Sequence, residues 1–204
     1  MTARWPDGTD VSRETLMRLE IYVDLIRKWN PRINLVSRSS LQRVWDRHIA
    51  DSLQVFAIAG PFSHWVDIGS GGGLPGLVAA ICAMETAPEA RFTLIESDQR
   101  KCVFLRTVAR ELGLSVTVLS ERIELAPPQG ADILSARALA DLDKLLGFSQ
   151  RHLDPSGMCL FPKGATWKNE VEDARPQWRF DCEAVKSVTE PEAAILKIQG
   201  VSRD

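Results

Sequence analysis

The sequence predicts an α/β fold: a mostly parallel sheet flanked by helices, closed by a C-terminal antiparallel hairpin and preceded by a helical extension. Three observations predict it. From residue 64 onward, β-prone runs (64–68, 91–95, 116–119, 131–135, 157–161) alternate with helical patterns (75–84, 98–112, 139–152, 166–174). Repeated strand–helix units build a parallel sheet with helices on both faces. The run Trp65-Val66-Asp67-Ile68-Gly69-Ser70-Gly71-Gly72-Gly73-Leu74-Pro75-Gly76 reads as a strand, a tight turn and a helix start. The tail carries two β-prone stretches, near 180–188 and 194–198, with no helix between them, which makes a hairpin. The 204 residues suit a single domain, with residues 1–60 as a helical extension and 61–204 as the core.

Taken in order, Ser12 can cap a first helix with Leu16, Leu19, Val23 and Ile26 along one face. Asn30-Pro31 is expected to end it. A second helix follows Ser39-Ser40, with Leu41, Trp45, Ile49, Leu53 and Phe56 inward, and Gly60-Pro61 stops it. His48, Asp51 and Ser52 read as buried, hydrogen-bonded residues of that helix. The helix from Asp98 has the clearest signals: Asp98 caps it, Leu105, Val108, Ala109 and Leu112 form its stripe, and Gly113 terminates it.

Composition narrows the classes. With 45% apolar and 25% charged residues the chain reads as soluble and globular. No apolar run approaches the ~20 residues that span a bilayer, and Met1–Asp7 carries no apolar signal segment. Cys82, Cys102, Cys159 and Cys182 are scattered, as are His48, His64 and His152. The thiols therefore read as reduced residues of a cytoplasmic protein, and no metal site is expected. The net charge of −2 leaves any nucleic-acid binding to a local basic patch.

The glycine-rich turn lets the backbone approach a ligand closely. Twenty residues beyond Gly76, the strand Phe92-Thr93-Leu94-Ile95 ends in Glu96, where a carboxylate can accept from both hydroxyls of a ribose. A nucleoside cofactor is expected, and two readings compete. Gly71, Gly73 and Gly76 fit G-x-G-x-x-G with Glu96 as the distal acid of an NAD site. Asp67, Gly69, Gly71 and Gly73 fit the first motif of an S-adenosylmethionine-dependent methyltransferase. Asp67 favours the second, because an acid sits awkwardly beside a pyrophosphate and well beside a methionine ammonium group. The single tyrosine, Tyr22, lies upstream of the loop with Ile26 where a dehydrogenase pair would need lysine. A closing antiparallel hairpin also suits a methyltransferase sheet.

Other strand ends bring Ser120–Glu124, Ser135–Ala138 and Phe161–Gly164 to the same rim. Signatures of amino-group and pyrimidine-C5 methylation are missing. A target that needs no proton removal fits, and guanine N7 is one: its in-plane lone pair is free at neutral pH, so no general base is required. Basic residues fall in three groups: Arg100, Lys101, Arg106 and Arg110 on the helix after Glu96; Arg122, Arg137, Lys163 and Lys168 near the rim; and Arg43, Arg47 and His48 on the second N-terminal helix. Three groups converging on one cofactor site suggest a phosphate-binding surface.

These residues resemble a known family. Trp29–Leu35, Arg47-His48-Ile49-Ala50-Asp51-Ser52-Leu53, the loop from Asp67 to Gly76, Arg100–Leu105, Ser135–Ala138 and Pro162-Lys163-Gly164 resemble the bacterial small-subunit rRNA guanine-N7 methyltransferases, also called the glucose-inhibited division protein B family. The resemblance covers nearly the whole chain. It implies a class I, Rossmann-like fold and methyl transfer from S-adenosylmethionine to N7 of one guanine in 16S rRNA, free or in the small ribosomal subunit, in the cytoplasm. It implies no membrane and no obligatory protein partner. By motif, Asp67, Gly69, Gly71, Leu74, Glu96, Ile123, Glu124 and Arg137 would bind the cofactor, with Arg137 a candidate for catalysis. Arg100, Lys101, Arg122 and Lys163 would contact RNA. An RNA-binding module that holds the cofactor without methylating, and an NAD-dependent oxidoreductase, stand as alternatives.

Overall fold

A computed structural model of the chain describes residues 10–203; the reading of Met1–Asp7 lies outside them. Helix α1 (Arg13–Ile33) begins where expected, with the Ser12 hydroxyl accepting from the Thr15 N–H at 3.0 Å. It buries Leu19, Tyr22, Val23 and Ile26 on one face. Asn30-Pro31 does not end it. Pro31 sits inside the last turn, where a missing N–H forfeits only one helical bond. The chain leaves at Asn34, which has φ 51° and donates to the Asn30 carbonyl at 3.0 Å. The Asn30 side chain then accepts from the Leu35 and Val36 N–H groups, both at 2.8 Å.

The expected second helix is broken into three. A short α2 (Arg38–Leu41) is followed by a π-helical turn at Trp45–Ile49, which runs directly into α3 (Ala50–Ala57). The apolar residues Leu41, Trp45, Ile49 and Leu53 are spaced by four. In an ideal α-helix that spacing drifts by roughly 40° each time. A wider turn absorbs the drift and keeps them facing inward, and such turns are frequent at functional sites.

The remaining elements alternate: β1 (His64–Ile68), α4 (Gly76–Thr86), β2 (Arg91–Ile95), α5 (Gln99–Leu112), β3 (Val116–Leu119), β4 (Ala131–Ser135), α6 (Leu142–His152), β5 (Leu153–Lys163), α7 (Trp167–Ala174), β6 (Trp178–Lys186) and β7 (Ala194–Arg203). Helix α6 starts later than the pattern suggested because Asp141 caps it, accepting from the Lys144 N–H at 3.0 Å. The seven strands form one sheet in the order β3-β2-β1-β4-β5-β7-β6. The first five are parallel, and β7 pairs antiparallel with both β5 and β6. This is the mostly parallel sheet with a C-terminal hairpin that the sequence predicts.

Two apolar layers cover the sheet. On one face, Leu19, Tyr22 and Ile26 of α1 share a continuous cluster with Leu77 of α4 and Phe104 and Leu105 of α5. On the other, Leu142, Leu145 and Leu146 of α6 pack with Phe161, Leu196 and Ile198. The N-terminal helices are thus built into the core. Strand order reverses between β1 and β4, so their carboxyl ends open a crevice where ligands bind in such sheets.

Candidate active site

The floor of the crevice is the end of β1. Asp67 is 1% exposed and lies in register with Ser135 of β4. The Trp65 indole N–H donates to the Ser135 hydroxyl at 2.8 Å, and that hydroxyl donates to Asp67 Oδ1 at 2.5 Å. Among the described residues, Asp67 Oδ2 has no hydrogen-bond partner. Burial raises the Asp67 pKa to about 6, against the lowering pull of the Ser135 bond and the Arg137 charge. Asp67 thus sets a buried acid beneath the loop.

The glycine loop follows. Gly69, Gly71 and Gly73 have φ of 61°, 54° and 86°, a region that L side chains rarely adopt. A Cβ on Gly73 would meet the Leu77 side chain at 2.4 Å, so helix packing demands that glycine. A Cβ on Gly71 would approach nothing closer than 3.8 Å; the space beside it is cavity, and a side chain there would fill the ligand's place. Two side chains from outside the loop brace it. The buried Tyr22 hydroxyl donates to the Gly72 carbonyl at 2.5 Å. Glu96, 8% exposed, accepts from the Gly71 N–H through Oε2 and from the Asp98 N–H through Oε1, both at 2.8 Å.

Two cavities meet at this loop and share Gly69, Gly71, Lys101, Ala138 and Ala140 in their walls. The smaller, of about 330 Å³, is lined by Glu96, Arg122, Ile123, Glu124 and Phe148. The larger, of about 710 Å³, opens between the rim and the N-terminal helices and is lined by Leu74, His48, Asp51, Arg137, Lys163 and Glu190, among others. Both volumes lie in the range of ligand-binding cavities.

Charge pairs organise the larger cavity. Arg137 donates to His48 Nδ1 at 2.7 Å, and His48 Nε2 meets the Ser40 hydroxyl at 3.0 Å. A guanidinium can only donate, so Nδ1 is the acceptor and Nε2 carries the proton. Burial, then the charges of Arg137 and Arg47, lower the His48 pKa to about 4, so the ring is neutral at pH 7. Arg47 is ion-paired with Glu190. Lys163 Nζ, on a side chain 9% exposed, donates to Glu170 and to the Ala140 carbonyl, both at 2.7 Å. Asp51 accepts from the Thr189 and Ser187 hydroxyls. Burial raises its pKa, opposed by those bonds and by the Arg137 charge.

Most residues singled out from the sequence converge here. Gly69, Gly71, Glu96, Ile123 and Glu124 line the smaller cavity, and Ile123 is fixed by His152 Nε2 on its carbonyl at 2.9 Å. Leu74 and Arg137 line the larger one. Asp67 lines neither and lies underneath. Of the expected RNA contacts, Lys101 lines both cavities, Arg122 is exposed at the smaller one, and exposed Arg100 pairs with Asp98 at 2.9 Å outside both. Lys163 is turned inward and committed to Glu170, so a phosphate would have to displace an existing ion pair. Ser52 is buried as expected, its hydroxyl on the His48 carbonyl at 2.7 Å. His48 and Asp51 are not: both are half-buried and line the larger cavity. Tyr22 supports the loop from 50 residues away, a contact that no local sequence signal marks. Among the described residues no group of three or more His, Cys, Asp or Glu is placed to hold a metal ion. No described helix is long and apolar enough to cross a membrane.

Comparison with known proteins gives the family and the fold. The family model for rRNA small subunit methyltransferase G matches residues 15–198. A ribosomal RNA small subunit methyltransferase G of Ruegeria sp. (strain TM1040) is 61% identical over 194 residues, covering 95% of each chain. That of Ruegeria pomeroyi is 60% identical over 200 residues, covering 97% of this chain and 98% of the relative. Among solved structures, an S-adenosylmethionine-dependent methyltransferase from Aquifex aeolicus superposes with a TM-score of 0.57 at 15% identity, over 86% of this chain and 96% of that one.

Proposed function

The chain belongs to the rRNA small subunit methyltransferase G family, and on that premise we propose that this S-adenosylmethionine-dependent rRNA methyltransferase modifies N7 of one guanine in 16S rRNA. The observation that carries the reading is the pair of cavities joined at Gly69 and Gly71. One is sized for a nucleoside and edged by a fixed carboxylate, and the other is roomier than a nucleobase. In this reading the smaller cavity takes the adenosine, with Glu96 on the ribose hydroxyls and Ile123 and Phe148 beside the base. The loop above Asp67 takes the methionine part. The bound cofactor supplies an electrophilic methyl on a sulfonium.

The larger cavity then takes the target base. Guanine N7 presents its lone pair without losing a proton, so the chain supplies position and charge rather than a base. The neutral His48 accepts from Arg137 and so orients it. Arg137 is a positioning group in this account. The positive charge that the purine acquires is offset in part by Asp51, which is held by hydroxyls while Glu170 and Glu190 are ion-paired. Lys101, between the cavities, and exposed Arg100 and Arg122 are placed to meet phosphates. The reading takes residues 1–204 as one functional unit, acting in the cytoplasm on rRNA or the small subunit without an obligatory protein partner.

A module that binds cofactor without methylating, and a nicotinamide oxidoreductase, are not favoured: the relatives are methyltransferases by name. Incubation with methyl-labelled S-adenosylmethionine and either naked 16S rRNA or small subunits from cells lacking the enzyme tests the proposal. Label is expected in RNA with one of the two substrates. Binding of S-adenosylhomocysteine with no transfer to either substrate would refute it.

A further inference from the structure

The charged groups of the larger cavity are held in different ways. Glu190 is ion-paired with Arg47, Glu170 with Lys163, and Arg137 is bonded to His48. Asp51 is held only by hydroxyls, and both of its bonds fall on one oxygen. Oδ1 accepts from Thr189 Oγ1 and, at 3.4 Å, from Ser187 Oγ. Among the described residues, Oδ2 is engaged by neither. Burial raises the Asp51 pKa, and the Thr189 bond and the Arg137 charge, which acts without bonding to it, oppose that shift.

The position of Asp51 is also unusually fixed. It lies one turn from Gln54 on α3, and Gln54 already clamps the turn that carries Ser187 and Thr189. Gln54 Nε2 donates to the Lys186 carbonyl at 2.7 Å, and Gln54 Oε1 accepts from the Val188 N–H at 3.0 Å. Two backbone bonds from a buried amide tie α3 to the β6–β7 connection. Asp51 adds its Oδ1 bonds to Ser187 and Thr189 to that tie. The arrangement presets the direction of one carboxylate in the wall of a cavity that receives a base.

We propose that Asp51 is the residue that selects guanine, its Oδ2 accepting from the N1–H and N2 amino group of the target base. The inference rests on the guanine reading given above. Guanine alone among the RNA bases places two adjacent donors on its Watson–Crick edge with an N7 acceptor on the opposite side of the ring. A carboxylate on N1 and N2 therefore leaves N7 free to face the methyl. Adenine would turn its N1 lone pair toward the carboxylate, which repels it. Enzymes that act on an unstacked base read it by hydrogen bonds to this edge, and a site built to bond a donor rejects the analogue that lacks it.

Inosine tests this, because it keeps N1–H, O6 and N7 and lacks only the N2 amino group. Small-subunit RNA carrying guanine or inosine at the methylated position is assayed under single-turnover conditions with wild type, Asp51→Ala and Asp51→Asn. Wild type is expected to favour guanine by about tenfold or more, the discrimination of one well-made base contact. Both variants are expected to bind S-adenosylhomocysteine as wild type does and to methylate guanine slowly. In Asp51→Ala the guanine-to-inosine ratio is expected to collapse to near one. Asp51→Asn keeps the shape of the side chain and reports the same loss of preference if the alanine variant does not fold. A wild-type enzyme blind to inosine, or a variant that is slow with its guanine preference intact, would overturn the assignment and leave Asp51 a structural residue. Failure of the wild type to methylate any guanine would instead refute the broader reading.

Discussion

Replacing Glu96 with alanine separates the cofactor account from a purely structural one. The carboxylate has two oxygens, and each already accepts one backbone N–H at 2.8 Å, from Gly71 and from Asp98. Each oxygen retains a further lone pair, and the smaller cavity lies against it. Truncation removes the proposed bonds to the ribose and releases the loop at Gly71. Hydrogen bonds to a charged group contribute about 1.5–3 kcal/mol, so the dissociation constant for S-adenosylhomocysteine should rise about 10- to 150-fold. The same change leaves two backbone donors without a partner. Water from the cavity can reach them, so the stability loss is near the lower end, about 2 kcal/mol in all, or about 4–8 °C in Tm for a chain of this size. Glu96→Gln keeps one acceptor oxygen but points an amide N–H at one of the two backbone donors, and it should fall between alanine and wild type. Titration calorimetry with S-adenosylhomocysteine and a melting curve read the two effects separately. A Tm loss with unchanged affinity would show that Glu96 only braces the loop and that the ribose lies elsewhere.

Tyr22→Phe should lower stability by about 1–2 kcal/mol, because the Gly72 carbonyl loses its buried donor; a melting curve that matches wild type would remove Tyr22 from the loop's supports. Arg100→Ala and Arg122→Ala should each weaken RNA binding across sequences and reduce the salt slope by about one, with cofactor affinity retained; filter binding at several salt concentrations checks this, and unchanged slopes would move the RNA surface to Arg43 and Arg47. The folded-state pKa of His48 is depressed to about 4 from 6.5, so its neutral form contributes stability that is present above pH 6.5 and lost as pH falls through 4. After discounting for partial exposure, wild type should lose about 1–2 kcal/mol more than His48→Gln between those limits; parallel chemical-denaturation curves at pH 7.5 and pH 4 measure it, and equal losses would mean that burial and the neighbouring arginines do not hold His48 neutral.

The sheet was legible because its signals are local. The strand–loop–helix run through Gly69 and the capped helix from Asp98 each follow from residues within one turn or one ladder step. The break in the second helix was not: spacings of four at Leu41, Trp45, Ile49 and Leu53 fit an α-helix nearly as well as the π-turn that the core imposes. The smaller cavity was legible for the same reason as the sheet, since Gly71 and Glu96, which line it, belong to a strand-end pattern. The larger cavity was hidden because its defining pairs join distant segments. His48 reaches Arg137, Arg47 reaches Glu190 and Asp51 reaches Thr189, and no local pattern announces such contacts. Lys163 shows the converse: a lysine at a strand end looks like a phosphate contact until Glu170, across the following loop, claims it.

The central claim is that this chain places one methyl group on N7 of a guanine. Borohydride and aniline cleave RNA at 7-methylguanosine, so small-subunit rRNA from a strain lacking the enzyme can be treated with the purified protein and S-adenosylmethionine, cleaved, and mapped by primer extension. The account predicts a single new stop at one guanine in 16S rRNA, absent without cofactor, with one S-adenosylhomocysteine formed per stop. Cofactor turnover with no cleavage at any guanine, or label on another atom or base, would contradict it.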